Sequence, residues 1–206
     1  MREIVVRSAE TFNTDFPQVV VGPRSTRTQD KKDLWGARRT LHTLYAAGTV
    51  SGQTRIRKIT ETTVCSTPDF EFCSSFGFGF MEITEATHPD DQRELAQSER
   101  MEGPILVGSL GARGGNRGWA GDAPERMVAE DIVDAINRKS KKYALELRSR
   151  MVLGIYINSA PGSSLHEFER LSPHLDQARS VGADFSKIVI FQDRDAASMV
   201  LAPKRN

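Results

Sequence analysis

The chain has 206 residues, a formal charge of +1, 38% hydrophobic and 27% charged residues, a balance that suits one packed domain and excludes a disordered chain. A charge so near zero provides no global field, so any hold on nucleic acid must come from a local basic surface. Cys65 and Cys73 lack zinc or disulfide-framework spacing, and no apolar run makes a signal peptide or a membrane span, so a cytoplasmic protein with free thiols is expected.

Residues 1–28 hold one short apolar run at Val19, Val20 and Val21, then Gly22-Pro23 and a polar stretch, and read as an irregular N-terminal arm. Over 29–47, Leu34, Trp35, Leu41, Leu44 and Tyr45 recur at helical spacing and Gly48 is placed to end the helix. Residues 54–64 alternate charged and β-branched side chains, which suits a strand closed by Pro68. Two further strands follow, Pro68-Asp69-Phe70-Glu71-Phe72 and Phe80-Met81-Glu82-Ile83-Thr84-Glu85-Ala86, joined by a glycine-containing turn.

Residues 88–124 are polar and then glycine-rich, and read as a helix followed by a glycine-rich loop over 103–124. A long helix is expected over 124–150, an apolar strand over 151–157, a helix over 164–181 and a strand over 187–191. The order is α, β, β, β, α, β, α, β, with no internal repeat.

Asp69 and Glu82 stand thirteen residues apart on the two strands of one hairpin, where two carboxylates can converge into a hard oxygen site for Mg²⁺. The plainer alternative makes Asp69 a turn residue after Pro68 and Glu82 a solvated strand residue. The long helix bears on that choice. Taking Ile132 as reference, Ile136 lies about 40° away, Tyr143 about 20°, Leu147 about 60° and Lys139 about −20°. Lys139 is thus in the middle of the apolar stripe, whereas Arg138, Lys141 and Lys142 point off it. An inward lysine either snorkels to the edge or meets an anion, and a carboxylate pair on the facing sheet would supply one.

Other chemistries find less support. The glycine-rich loop does not match a nucleotide-phosphate loop, which needs a lysine and a Ser or Thr after its last glycine. His42, His88, His166 and His174 have no metal-ligand spacing. Ser163 and Ser164 are not in a nucleophile elbow.

Pro68-Asp69, Glu82-Ile83-Thr84 and Lys139 together resemble the PD-(D/E)XK, or restriction-endonuclease-like, nuclease superfamily, over residues 29–158. The resemblance implies an α/β fold with an αβββαβ core, a central mixed sheet flanked by helices, and an appended C-terminal helix and strand. It implies metal-dependent hydrolysis of phosphodiester bonds, with Asp69, Glu82 and the Ile83 carbonyl as ligands for Mg²⁺ or Mn²⁺. Thr84 stands where the family usually has its lysine. Some members supply that lysine from the next helix, which makes Lys139 the counterpart here and Lys142 the second choice.

The family's further acidic residue on the first helix is matched by Asp30, about 40° from Leu34, with Asp33 less well aimed. Both also suit the acid-favouring N-terminus of a helix. Glu85 should point to the opposite strand face from Glu82 and Thr84. DNA, in preference to RNA, is the expected partner, with Arg113, Arg117, Trp119 and Lys142 as contacts to phosphates and bases. The loop could equally be a plain connection. A homodimer is the assembly that cutting two strands would call for. The alternative is a non-catalytic nucleic-acid-binding or assembly module of the same fold, with Thr84 marking a lost activity.

Overall fold

The computed structural model describes residues 3–19, 28–60, 67–75, 77–89, 121–158, 167–192 and 197–202. Its centre is a mixed sheet of seven strands in sequence order: β1 (Ile4–Val6), β2 (Thr54–Lys58), β3 (Phe70–Ser74), β4 (Gly77–Ala86), β5 (Met151–Ile157), β6 (Lys187–Phe191) and β7 (Ser198–Leu201). Strands β1 to β4 form an antiparallel meander. The β4–β5 and β5–β6 pairs are parallel and β7 returns antiparallel to β6.

Two helices sandwich the sheet. Helix α2 (Gln29–Ala46), capped at its start by the Thr28 side chain, covers one face with Ala37, Leu41, Leu44 and Tyr45. From the sheet this face receives Ile56, Phe70, Phe72, Met81, Val152, Val189 and Phe191. Helix α3 (Ala123–Lys142), with Pro124 in its first turn, covers the other face with Val128, Ile132 and Ile136 against Met151, Leu153, Ile155 and Ile157. Each fully buried side chain of this kind contributes about 1.5–3 kcal/mol by leaving water. The α3 crossover joins the parallel neighbours β4 and β5, as such pairs require.

Helix α2 lies very close to the sheet. An added Cβ on Gly36 would come to 2.5 Å from Ile83 Cγ2, and one on Gly154 would overlap the Thr40 hydroxyl. The absence of both side chains lets the helix rest on the strand that carries Glu82 and Ile83.

The structure corrects several expectations. The arm is not wholly irregular. Ile4 and Val6 pair β1 with β2, and a short helix α1 (Phe12–Asp15) buries Phe12 against the α2 core. Three residues are too few for a strand to register as a pattern, so the pairing comes from tertiary contact. Strand β2 ends at Lys58 rather than near residue 64.

The long helix stops at Tyr143, whose extended backbone (φ −119°, ψ 139°) separates α3 from a four-residue helix α4 (Leu145–Arg148). The single helix expected over 164–181 is, within the described residues, a 3-10 helix (Phe168–His174) containing Pro173, followed by α5 (Asp176–Val181). Proline lacks the N–H a continuous α-helix needs there. Strand β7 was not anticipated. The glycine-rich loop, with Arg113, Arg117 and Trp119, lies outside the described residues. Among the described residues, no helix is long and apolar enough to cross a membrane.

Candidate active site

The site forms where the β3–β4 ladder runs out. Phe70 pairs with Met81, and extending that register sets Asp69 opposite Glu82 and Pro68 opposite Ile83. Pro68 has no N–H to offer the Ile83 carbonyl. The Asp69 side chain takes over part of the missing ladder, its Oδ2 accepting the Ile83 N–H at 2.7 Å. In return the Asp69 N–H donates to Glu82 Oε2 at 3.1 Å. Because the N–H and C=O of one strand residue point the same way, the Ile83 carbonyl faces the edge where Asp69 sits.

Glu82 is 1% exposed, and its Oε1 accepts from Lys139 Nζ at 2.6 Å and from Lys142 Nζ at 3.3 Å. A buried carboxylate survives as an ion only with such partners. Lys139 is 17% exposed. Its place on the inward stripe of α3 is the one that helical spacing indicated, and the anionic-partner alternative, not plain snorkelling, describes it. Lys142, which the stripe places on the solvated side, also reaches Glu82, because it stands three residues after Lys139, in the same last turn of α3.

Burial, then the neighbouring charge of Glu82, pushes the Asp69 carboxyl up to about 7. Tyr143, which helical spacing places on the apolar stripe, also belongs to this cluster. Its ring is buried, its hydroxyl donates to the Thr67 carbonyl at 3.2 Å, and burial together with the charge of Glu82 raises its pKa. Its position at the C-cap of α3 would have been the signal, had the helix end been recognised.

Thr84 lies on the same face of β4 as Glu82, opposite Ile155 in the parallel ladder. Glu85 is on the other face, where Lys32 Nζ reaches it at 3.3 Å, as the strand alternation requires.

The acid on the first helix needs correction. The Asp30 side chain is 82% exposed and meets Lys58 Nζ at the surface, whereas Asp33 is buried, with its carboxylate 3.0 Å from Lys58 Nζ and 2.6 Å from Gln29 Nε2. The negative charge of Asp33 also raises the Asp69 carboxyl. At the first turn of a helix a shift of three residues changes which acid is tucked under the chain, and Lys58 at the end of β2 decides between them.

Among the described residues, no group of three or more His, Cys, Asp or Glu converges as a metal site. The oxygens that the resemblance would make ligands are those of the Asp69 and Glu82 carboxylates and the Ile83 carbonyl. Those hard oxygens fit Mg²⁺ or Mn²⁺, since Mg²⁺ keeps several waters and takes one or two carboxylates from the protein. Burial and the neighbouring charge of Glu82, which together raise the Asp69 carboxyl, are further features a cation would relieve.

Comparison with known proteins was negative. No family model, curated protein or solved structure matches the chain.

Proposed function

We propose that the protein is a metal-dependent nuclease of the restriction-endonuclease-like kind, hydrolysing phosphodiester bonds in DNA in preference to RNA. One observation carries the reading: a lysine from the helix after the hairpin reaches the carboxylate of the hairpin's second strand, Lys139 Nζ to Glu82 Oε1 at 2.6 Å. This supplies the positive charge that the element Glu82-Ile83-Thr84 lacks. The element order α2, β2, β3, β4, α3, β5 agrees with the αβββαβ core that the resemblance implies.

Asp69, Glu82 and the Ile83 carbonyl would hold Mg²⁺ or Mn²⁺, which supplies a more acidic bound water and neutralises charge building on the phosphate. The reciprocal hydrogen bonds between Asp69 and the β4 backbone and side chain fix the two carboxylates relative to each other. Lys139 orients the attacking water from the side of Glu82. The more exposed Lys142 stands at the mouth, where it would meet a phosphate of the substrate. In the net step water adds to phosphorus, the bond to the leaving sugar oxygen breaks, and that oxygen is protonated.

A second reading has its own support. Glu82 already accepts three hydrogen bonds from the protein, from Lys139, Lys142 and the Asp69 N–H. A closed network of this kind also serves a purely structural role, in a binding or assembly module that has Thr84 in place of the lysine.

Thermal melting with and without Mg²⁺ or Mn²⁺ separates the two readings. A metal that binds the native state at useful affinity must raise the melting temperature, by linkage. The nuclease reading expects a rise in the wild type and none in Asp69→Ala. No rise in either supports the module.

A further inference from the structure

The outer face of the β2–β4 meander, turned away from α2, carries two rows of side chains that lead to the carboxylates. In the first row Arg55 stands opposite Cys73 and Cys73 opposite Phe78; in the second Arg57 stands opposite Glu71 and Glu71 opposite Phe80. The next row, by the same register, is Asp69 and Glu82. Helix α3 packs over β4 and β5, and Arg55, Arg57, Cys73 and Phe78 are exposed.

Phe78 is 50% exposed, an unusual state for a large ring on a strand. It is held in place. The Phe80 ring meets it edge-on at 5.4 Å, and the Arg150 guanidinium lies 5.5 Å from its centroid while donating to its carbonyl at 3.2 Å. Three arginines, Arg55, Arg57 and Arg150, thus stand around Phe78 on this surface; Arg57 Nε is bound to Glu71 at 2.7 Å, and the register that sets Val5 opposite Arg55 brings Glu3 beside Arg57, which leaves Arg55 and Arg150 nearest the ring.

We propose that this face binds a single strand of DNA and leads it to Asp69 and Glu82, with a base stacked on Phe78 and the backbone phosphates met by Arg55 and, nearer the site, by Lys142. The proposal rests on the nuclease reading for the destination of the strand. Its own grounds are the placement of the side chains and their charge complementarity to phosphate. Phe78 and Glu82 lie on one strand face four residues apart, about 13 Å along β4, a reach of a few nucleotides. An exposed ring offers its face to any base that is free of a duplex. A duplex keeps its bases stacked and could use only the arginines.

The test is fluorescence-anisotropy binding of a labelled thymidine oligonucleotide and of a duplex of equal length, without divalent metal, to the wild type, Phe78→Ala and Arg55→Ala. Melting curves confirm that each variant is folded. The expected result is tighter binding of the single strand than the duplex and a loss of about tenfold in Phe78→Ala, within the range of one base–aromatic stack. Arg55→Ala should lower the slope of log affinity against log salt by about 0.7, one phosphate contact on a single strand.

Wild-type affinity in both Phe78→Ala and Arg55→Ala overturns the proposal and leaves the nuclease reading standing. Equal or tighter binding of the duplex, with Phe78→Ala silent, also overturns it. Binding as expected, with no metal-dependent cleavage by the wild type, sinks the nuclease reading and retains the surface. Neither binding nor cleavage overturns both.

Discussion

Lys139 reaches across from α3 to place its ammonium 2.6 Å from Glu82 Oε1, just past the end of the β3–β4 ladder, where Glu82 is 1% exposed. The pair joins the two elements that the nuclease reading needs to join. Replacing Lys139 with Met should lower cleavage by about 10²–10⁴-fold, the usual worth of a positioned proton-handling group. Stability should fall by about 1–3 kcal/mol, less than the roughly 3–5 that an abandoned buried charge costs, because Lys142 still reaches Glu82. Urea melts beside the cleavage assay check both numbers.

Thr84 shares a strand face with Glu82, so a lysine introduced there would approach the same carboxylate from the strand. The double variant Thr84→Lys with Lys139→Met should regain part of the cleavage that Lys139→Met loses. A double variant as inactive as the single one would argue that α3 contributes more than a charge.

The Asp69 carboxyl, raised to about 7 by burial and by Glu82, gives a signed pH dependence. An unfolded aspartate titrates near 3.9, so between about 4 and 7 the native protein holds the proton and the unfolded chain does not. Stability attributable to Asp69 is therefore complete below about 4 and is lost as pH rises to about 7. Asp69→Asn should abolish that slope in pH-dependent melts. Metal competes with the same proton, so the Mg²⁺-induced rise in melting temperature should be larger at pH 8 than at pH 6.

Asp33, and not Asp30, should matter for the fold. Both reach Lys58 Nζ, but the Asp30 side chain is 82% exposed and that of Asp33 only 7%. Asp33→Ala leaves the poorly solvated Lys58 with a surface partner only, and should destabilise by about 1–3 kcal/mol. Asp30→Ala should stay within about 0.5 kcal/mol of the wild type. Chemical denaturation of the two variants provides the comparison.

Gly154 marks a close approach of α2 to the sheet, where an added Cβ would overlap the Thr40 hydroxyl and lie 2.8 Å from Ile83 Cδ1. Gly154→Ala should cost about 1–3 kcal/mol as overpacking. By displacing Ile83 it should also weaken metal binding, measured as a smaller metal-induced shift in melting temperature. A stable Gly154→Ala with an unchanged shift would mean that the helix yields without moving β4.

Much of the centre is legible in the sequence. The continuous apolar run of β5 and the 3.6-residue stripe of α3 are strong patterns, and the same stripe that placed Ile132 and Ile136 in the core placed Lys139 beside Glu82. The hairpin register put Asp69 beside Glu82 because strand alternation leaves few choices. What escaped notice was decided by distant partners. Strand β1 exists because Ile4 and Val6 find β2, and the helix ends at Tyr143 because that ring turns inward to the carboxylates. Asp33 is chosen over Asp30 by Lys58, twenty-five residues further along the chain. None of these leaves a local periodic signal.

Cleavage of single-stranded and plasmid DNA with Mg²⁺ or Mn²⁺, comparing the wild type with Asp69→Ala, Glu82→Ala and Lys139→Ala, tests the central claim most directly. The account predicts cutting that requires metal and is lost in all three variants. A folded wild type that cuts neither substrate with either metal, or variants that cut as well as the wild type, would contradict it.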